Sequence, residues 1–195
     1  NAGLPALEAR SMTLPGLLAL LDQAAAAEAA GDLGAAEAAL QKASELDNQH
    51  QHTASELARV SAAHLDQRFN DAMSDGYMAL DGGEYRRARD RFNAAAALQP
   101  GSVEAASALQ ELAAAEQGGA LTRLKRDGER HAQAEQWQEA LEAYEQALKI
   151  DANVTFATEG VAQARTRARL DSQFRAAINK PDRLYDIAVA EATGK

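Results

Sequence analysis

The apolar residues of the chain recur at helical spacing, and the same arrangement returns every 52 residues. Residues 84–100, "EYRRARDRFNAAAALQP", align without a gap with residues 136–152, "QWQEALEAYEQALKIDA". Spacings of 3, 4, 3 and 3 between the apolar positions are typical of a helix with one buried face. A third copy precedes these two, and the aligned positions are Leu33, Tyr85 and Trp137; Ala36, Ala88 and Ala140; Leu40, Phe92 and Tyr144; Ala43, Ala95 and Ala147; Leu46, Leu98 and Ile150.

The segments between these copies carry apolar stripes of their own. From Leu57 to Leu80 the apolar residues keep to nearly one face, which predicts a single long helix from about His52 to Leu80. The pattern therefore predicts long helices of about 30 residues alternating with short ones of about 14. The short helices are expected near residues 31–46, 84–98 and 136–150.

Two later segments contain residues that disfavour a helix. Gly118 and Gly119 shift the phase of the apolar stripe, so we expect a kink or a break there. The last long segment, from Asn153 to Ile178, is expected to end before Pro181, because the residue preceding a proline is pushed out of helical geometry.

Each copy resembles a tetratricopeptide repeat. In each copy a large residue, an Ala, an aromatic residue or Leu, and a second Ala follow one another at the spacing of the second helix of that motif. The first helix of the motif carries a small residue twelve positions before the first of these alanines. Ala24, Gly76 and Gly128 stand there. Gly31 and Gly83 occupy the turn between the helices, where the third copy has Glu135. The resemblance covers residues 17 to about 160 and implies an all-α, TPR-like α-solenoid of helical hairpins.

The period departs from that family. A tetratricopeptide repeat has about 34 residues, so each copy here is longer by 18, or about five helical turns. Such an insertion lengthens a helix without rotating its apolar face. We therefore expect the extra residues to belong to the long helices.

Three parts of the chain are distinguished on this basis: residues 1–12 as an N-terminal segment, 13–178 as the repeat domain, and 179–195 as a capping segment. Thr13 with Pro15 predicts a helix start. Asn1 and Ala2 are typical of a cleaved tag, which indicates an excised part of a longer protein. The tail is expected to form a closing helix that covers the last repeat with Leu184, Tyr185, Ile187 and Val189.

Composition narrows the classes of function. About a quarter of the residues are Ala, which favours an all-α chain. The net charge is -9, with the acidic excess in residues 1–119, so a nucleic acid partner is not expected. Cysteine is absent, which excludes disulfides and thiolate chemistry. No apolar run reaches 18 residues, so this segment is expected to be soluble.

No motif for catalysis or cofactor binding is recognised, and we expect neither an enzyme nor a cofactor, metal or small-molecule substrate. His50 and His52 in "NQHQH" could be taken for metal ligands, but they lack an acidic partner at a known spacing, and a solvated turn is the preferred interpretation. The arginines Arg86, Arg87, Arg89 and Arg91 could hold an acidic peptide, although ion pairing with neighbouring acidic residues explains them as well.

The resemblance implies a partner-binding surface. Tetratricopeptide arrays bind peptides or partner helices along a surface lined by their first helices. The corresponding positions in the second and third copies are Asn70, Met73, Tyr77, Asp81, Thr122, Lys125, Glu129 and Gln133. The first copy has mostly Leu and Ala there. The paired Lys and Asn of the carboxylate-clamp subfamily are not matched.

The sequence predicts a non-enzymatic scaffold that binds a protein or peptide of unknown identity. The alternative is a structural spacer or assembly module between a membrane anchor and another domain. Ala-rich repeats followed by a segment similar to "KPDRLYDIAVAEA" occur in bacterial envelope proteins with an N-terminal membrane helix. This resemblance implies a periplasmic or cell-envelope location, with the cytoplasm as the alternative. The oligomeric state is left open.

Overall fold

A computed structural model describes the backbone of residues 4–179 and, except at residues 4–10 and 177, their side chains. The described chain forms helices and no strand, so the predicted all-α class is confirmed. The capping segment with Leu184, Tyr185, Ile187 and Val189 lies outside the described residues, apart from Asn179. The helices are α1 (Leu4–Ala29), α2 (Leu33–Leu46), α3 (Gln51–Asp81), α4 (Tyr85–Leu98), α5 (Val103–Gln133), α6 (Trp137–Ile150) and α7 (Thr155–Asn179).

The helix bounds follow the apolar periodicity closely. Helices α2, α4 and α6 each have 14 residues, and each begins and ends within two residues of the bounds expected from the sequence. Helices α3 and α5 each have 31 residues. Helix α3 extends one residue beyond each end of the helix predicted from His52 to Leu80.

Two predictions about helix ends are wrong: a break at Gly118 and Gly119, and a helix start at Thr13. Helix α5 continues through Gly118 and Gly119, so the helix does not break there. A glycine costs about 1 kcal/mol in a helix interior, which the Ala and Leu residues on both sides offset. Helix α1 also contains Thr13 and Pro15 in its interior, although a helix start was predicted at this point. Proline there removes one helical hydrogen bond, and the apolar residues that follow keep α1 packed on α2.

The chain divides into two compact units, Asn1–Leu112 and Ala113–Lys195. The first unit contains two hydrophobic clusters. In the first cluster, Leu40 of α2 is buried against Ala24 of α1 and Val60 of α3. Small residues at the contacts let the three helices approach closely, while the larger ones fill the space beside them.

The second cluster surrounds Phe92 of α4, which is fully buried. The second half of α3 contributes Gly76 beside the ring, and the beginning of α5 contributes Ala108 and Leu112. Helix α3 thus packs on α2 with its first half and on α4 with its second half. The 18 additional residues of the period allow one helix to serve both clusters.

The third cluster lies in the second unit and surrounds Tyr144 of α6. Gly128 of α5 and Gly160 of α7 both face the ring: a β-carbon would lie 2.5 Å from Tyr144 at Gly128 and 2.6 Å from it at Gly160. No larger residue fits at either glycine while the ring keeps its place. The third cluster therefore repeats the aromatic-on-glycine packing of the second.

The turns after α1, α3 and α5 share one backbone geometry. Gly31, Gly83 and Glu135 stand 52 residues apart and have positive φ angles of 80°, 71° and 57°. In each turn the next N–H donates to a carbonyl five residues back: Asp32 to Ala27, Glu84 to Ala79 and Gln136 to His131. The third copy makes this turn with Glu, a residue for which the left-handed region costs roughly 1 kcal/mol.

Candidate protein-binding surface

The four positions predicted on α3 do not all reach the surface. Asn70, Tyr77 and Asp81 are exposed along one side of the second half of the helix. Met73 is only 9% exposed and packs in the second cluster. The exposed face in the first unit therefore consists of Asn70, Tyr77 and Asp81. Met73, between them in the sequence, packs in the core instead.

Tyr77 is the aromatic residue of this face. Its side chain is 38% exposed, and its ring meets that of Phe92 edge to face, with centroids 5.1 Å apart and an angle of 70° between the planes. An aromatic pair of this geometry is favourable beyond its buried area. Because Phe92 is fully buried, it holds the inner edge of Tyr77 in place and leaves the outer part available for contact.

The four positions predicted on α5 are all exposed in the second unit. Thr122, Lys125, Glu129 and Gln133 follow one another at spacings of three and four residues, which places them on one face. The ammonium of Lys125 lies 3.9 Å from a carboxylate oxygen of Glu129. The hydroxyl of Thr122 donates to the carbonyl of Gly118 at 2.9 Å, as threonine often does inside a helix.

Lys125 also extends this face to α7. Its Nζ atom lies 5.8 Å from the centroid of the Phe156 ring, within the range of a cation–π contact. Phe156 in turn meets Tyr144 edge to face at 6.5 Å. Phe156 was missed by the sequence analysis because the aligned residues of the other copies are His52 and Glu104, so the repeat gives no signal there.

Glu129 influences the buried phenol of Tyr144. Burial raises the pKa of Tyr144 above its ordinary value of 10.0, and the negative charge of Glu129 raises it further. The phenol is 7% exposed and therefore stays neutral at physiological pH. A residue of the exposed face is thus electrostatically coupled to the third cluster.

A polar network between α2 and α3 was also missed. The Glu37 carboxylate accepts a hydrogen bond from the Ser61 hydroxyl at 2.6 Å, and its second oxygen lies 2.7 Å from His64 Nδ1. These two contacts lower the pKa of Glu37 below its ordinary value. Ser61 and His64 both contact the carboxylate, so the network connects α2 with α3.

His50 has a structural role at the start of α3. His50 is the N-cap residue, and its Nδ1 accepts the N–H of Thr53 at 3.2 Å and lies 2.7 Å from the Thr53 hydroxyl. Within the described residues, no group of three or more His, Asp or Glu side chains is placed to hold a metal ion.

Two of the α4 arginines lie in ion pairs. Arg87 is 3.1 Å from Glu84, and Arg91 is 3.5 Å from Asp75 of α3. Arg86, Arg87 and Arg91 also line an open depression at the start of α4. Exposed pairs of this kind contribute about 0 to 1 kcal/mol each.

The ring of Trp137 contacts a cation of α7. The Arg167 guanidinium lies 5.4 Å from the centroid of this ring.

Comparisons with family models, with curated proteins and with solved structures gave no match. Among the helices of the described chain, none has both the length and the apolar character needed to cross a bilayer.

Proposed function

We propose that the chain is a TPR-like array of helical hairpins, with long helices shared between successive clusters, that serves as a non-enzymatic interaction scaffold. The outward faces of α3 and of α5 are each a surface for an extended peptide or a partner protein. These faces comprise Asn70, Tyr77 and Asp81 in the first unit and Thr122, Lys125, Glu129 and Gln133 in the second.

The observation that carries this proposal is the exposure of Tyr77 on a preordered support. Interface contacts are enriched in Tyr because it offers a large, rigid and amphipathic surface. Tyr77 is 38% exposed and rests on the buried ring of Phe92, so little side-chain entropy is lost when a partner covers it. Asn70 and Asp81 flank it with hydrogen-bonding groups.

The test is affinity capture followed by mass spectrometry, using the full chain immobilised through its N-terminus. Replacing Tyr77 and Lys125 by Ala should reduce recovery of the captured partner at least about tenfold. A matched control replaces Met78, which is 62% exposed and points about 100° away from Tyr77 around the helix. Equal recovery with all variants would contradict the binding face.

A second candidate is a structural spacer between a membrane anchor and another domain. The middle of α3 favours it, because the four successive residues Leu65 to Arg68 are all exposed. Four residues complete a turn, so this turn of α3 has no buried side, and its polar contact is the hydrogen bond that the Gln99 amide donates to the Asp66 carboxylate. The two hydrophobic clusters lie on either side of this turn, as expected of a helix that sets a distance between them.

Substitutions on the outward faces distinguish the two candidates. A spacer in the full-length protein tolerates Tyr77→Ala together with Lys125→Ala. A scaffold loses its partner with the same two substitutions.

The compartment is part of the same proposal. The tail similar to that of bacterial envelope proteins supports a periplasmic or cell-envelope location for the parent protein, and the cytoplasm is the alternative. Fractionation of cells that carry the full-length protein decides between the two.

A further inference from the structure

The face of α4 that points away from the buried Phe92 carries three arginines that the other copies lack. Arg86, Arg87 and Arg91 lie within about 140° of one another around the helix. The short helices α2 and α6 have no basic residue at the equivalent positions, which are Gly34, Ala35 and Ala39 in α2 and Gln138, Glu139 and Ala143 in α6. The repeated packing therefore does not require these arginines.

The arginines of α4 concentrate the positive charge of the first unit. Asn1–Leu112 contains eight Lys and Arg residues against 16 Asp and Glu residues, and four of the eight lie between positions 86 and 91. At physiological ionic strength, charges more than about 8 Å apart are largely screened. An anion at this face of α4 therefore interacts mainly with the nearby arginines and less with the net charge of -9.

The guanidinium groups of this face are accessible to a further carboxylate. The side chains of Arg87 and Arg91 are 58% and 48% exposed, and each forms an ion pair at the surface. Exposed ion pairs are weak and a guanidinium has five N–H donors, so both arginines can bind a second carboxylate. Arg86 is exposed and forms no ion pair with any residue that the structure describes.

The depression at the start of α4 suits an extended chain. It is open to solvent and is lined by Arg86, Arg87 and Arg91. Arg87 and Arg91 are one helical turn apart, or about 6 Å along the helix axis. Alternate residues of an extended peptide are about 7 Å apart and point to the same side, so two carboxylates of such a peptide can reach both guanidiniums.

Two carboxylates of the depression argue against a compact anion. Glu84 and Asp90 line it beside the arginines. A phosphate group concentrates its charge at one point, where these carboxylates repel it while the guanidiniums attract it. Carboxylates distributed along a peptide can instead pair with one arginine each in the bidentate geometry. The arrangement thus favours a peptide with spaced Asp or Glu residues.

We propose that Arg86, Arg87 and Arg91 of α4 form a docking surface for an acidic segment of a partner protein. The segment binds in extended form, with Asp or Glu at every second residue, and its carboxylates pair with the guanidiniums. This inference concerns α4 and does not depend on the proposed binding through the outward faces of α3 and α5.

Fluorescence anisotropy of the full chain tests the proposal. The probe is a short peptide in which Glu alternates with Ser, amidated at its C-terminus and labelled with an uncharged dye. The same peptide with Gln in place of Glu should bind at least about tenfold more weakly. Arg87→Gln with Arg91→Gln should also weaken binding of the Glu peptide at least about tenfold, while the helical signal and melting temperature stay close to those of the native chain.

The matched control is Arg165→Gln with Arg169→Gln, which removes the same charge from two exposed arginines one turn apart on α7 and should change the affinity less than about twofold. Equal weakening by the two double substitutions would overturn the proposal. Equal affinity of the native chain for the two peptides would also overturn it, and this comparison does not depend on the stability of any variant. Displacement of the Glu peptide by millimolar inorganic phosphate would show a compact anion site instead.

Discussion

The ring of Phe92 occupies the space that a β-carbon on Gly76 would need. A β-carbon built at Gly76 lies 2.4 Å from Phe92 Cε1, and one at Gly128 lies 2.5 Å from the Tyr144 ring. Both pairs join the second half of a long helix to the short helix that follows it. The repeated sequence thus specifies how closely each pair of helices approaches.

Gly76→Ala should destabilise the chain by about 2 kcal/mol, even though Ala is the better helix former by about 1 kcal/mol. The added methyl group meets Phe92, which is fully buried and has no free space to move into. Chemical denaturation with circular dichroism measures the change.

Gly118→Ala is the matched control, because a β-carbon built there meets nothing within 4 Å apart from its chain neighbours and the backbone of its own helical turn. This substitution should stabilise the protein by roughly 0.5 to 1 kcal/mol through helix propensity alone. Equal stabilisation by both substitutions would show that Phe92 does not hold the helices at this distance.

Glu135→Gly should stabilise the second unit by up to about 1 kcal/mol. Glu135 has a φ of 57°, while the two equivalent turns have glycine, and glycine adopts this geometry without a steric cost. At the equivalent turn, Gly83→Ala places a residue with a β-carbon at a positive φ of 71° and should destabilise the first unit by a similar amount. Thermal melts of the three proteins measure both changes. Destabilisation by Glu135→Gly would indicate that the Glu side chain contributes more than its backbone strain costs.

Glu37→Gln should destabilise the chain by about 1 kcal/mol at neutral pH, because the carboxylate contacts Ser61 and His64. The pKa of Glu37 is lowered in the folded chain, so the ionised carboxylate favours folding. This contribution is present above the ordinary pKa of 4.5 and disappears as the pH falls through the lowered value.

Denaturation curves of the native chain and of Glu37→Gln at neutral and at acidic pH test this dependence. The difference in unfolding free energy should shrink as the pH falls. A difference that stays constant would show that the ionised carboxylate is not the stabilising form.

The stability of the third cluster should decrease at alkaline pH because of Tyr144. Its pKa is raised in the folded state, so folding favours the neutral phenol. This contribution is complete below pH 10.0 and is lost as the pH rises through the raised pKa.

Tyr144→Phe keeps the ring and removes the ionising group, so it should lose less stability than the native chain over the same pH range. Glu129→Gln should lower the pKa of Tyr144. A pH titration of the phenolate absorbance measures this pKa, and the part of the absorbance that Tyr144→Phe removes belongs to Tyr144. An unchanged pKa in Glu129→Gln would exclude the coupling between the binding face and the third cluster.

The periodicity predicted the short helices within two residues because small and large apolar positions recur in one register. It also placed Gly76 at the position equivalent to Gly128, and Phe92 at the position equivalent to Tyr144. The pattern did not reveal that each glycine contacts the aromatic ring. Local reasoning failed at Gly118 and Pro15, since each residue was weighed alone whereas helix formation is cooperative over many residues.

The site was harder to predict because aligned positions are not equally exposed. Met73 is buried while its counterpart Lys125 is exposed, since a Met side chain joins the apolar cluster and a Lys side chain keeps its charge in water. Phe156 and the network of Glu37, Ser61 and His64 depend on contacts between helices that no repeat pattern records.

Site-specific photocrosslinking tests the central claim, that the outward face of α3 contacts a partner, most directly. A photoreactive phenylalanine analogue is placed at Tyr77 or at Met78 in the full-length protein, in cells that naturally produce it. The scaffold account predicts one protein adduct, identified by mass spectrometry, from position 77 and little or none from position 78. Equal labelling at both positions, or no protein adduct from position 77, would contradict it.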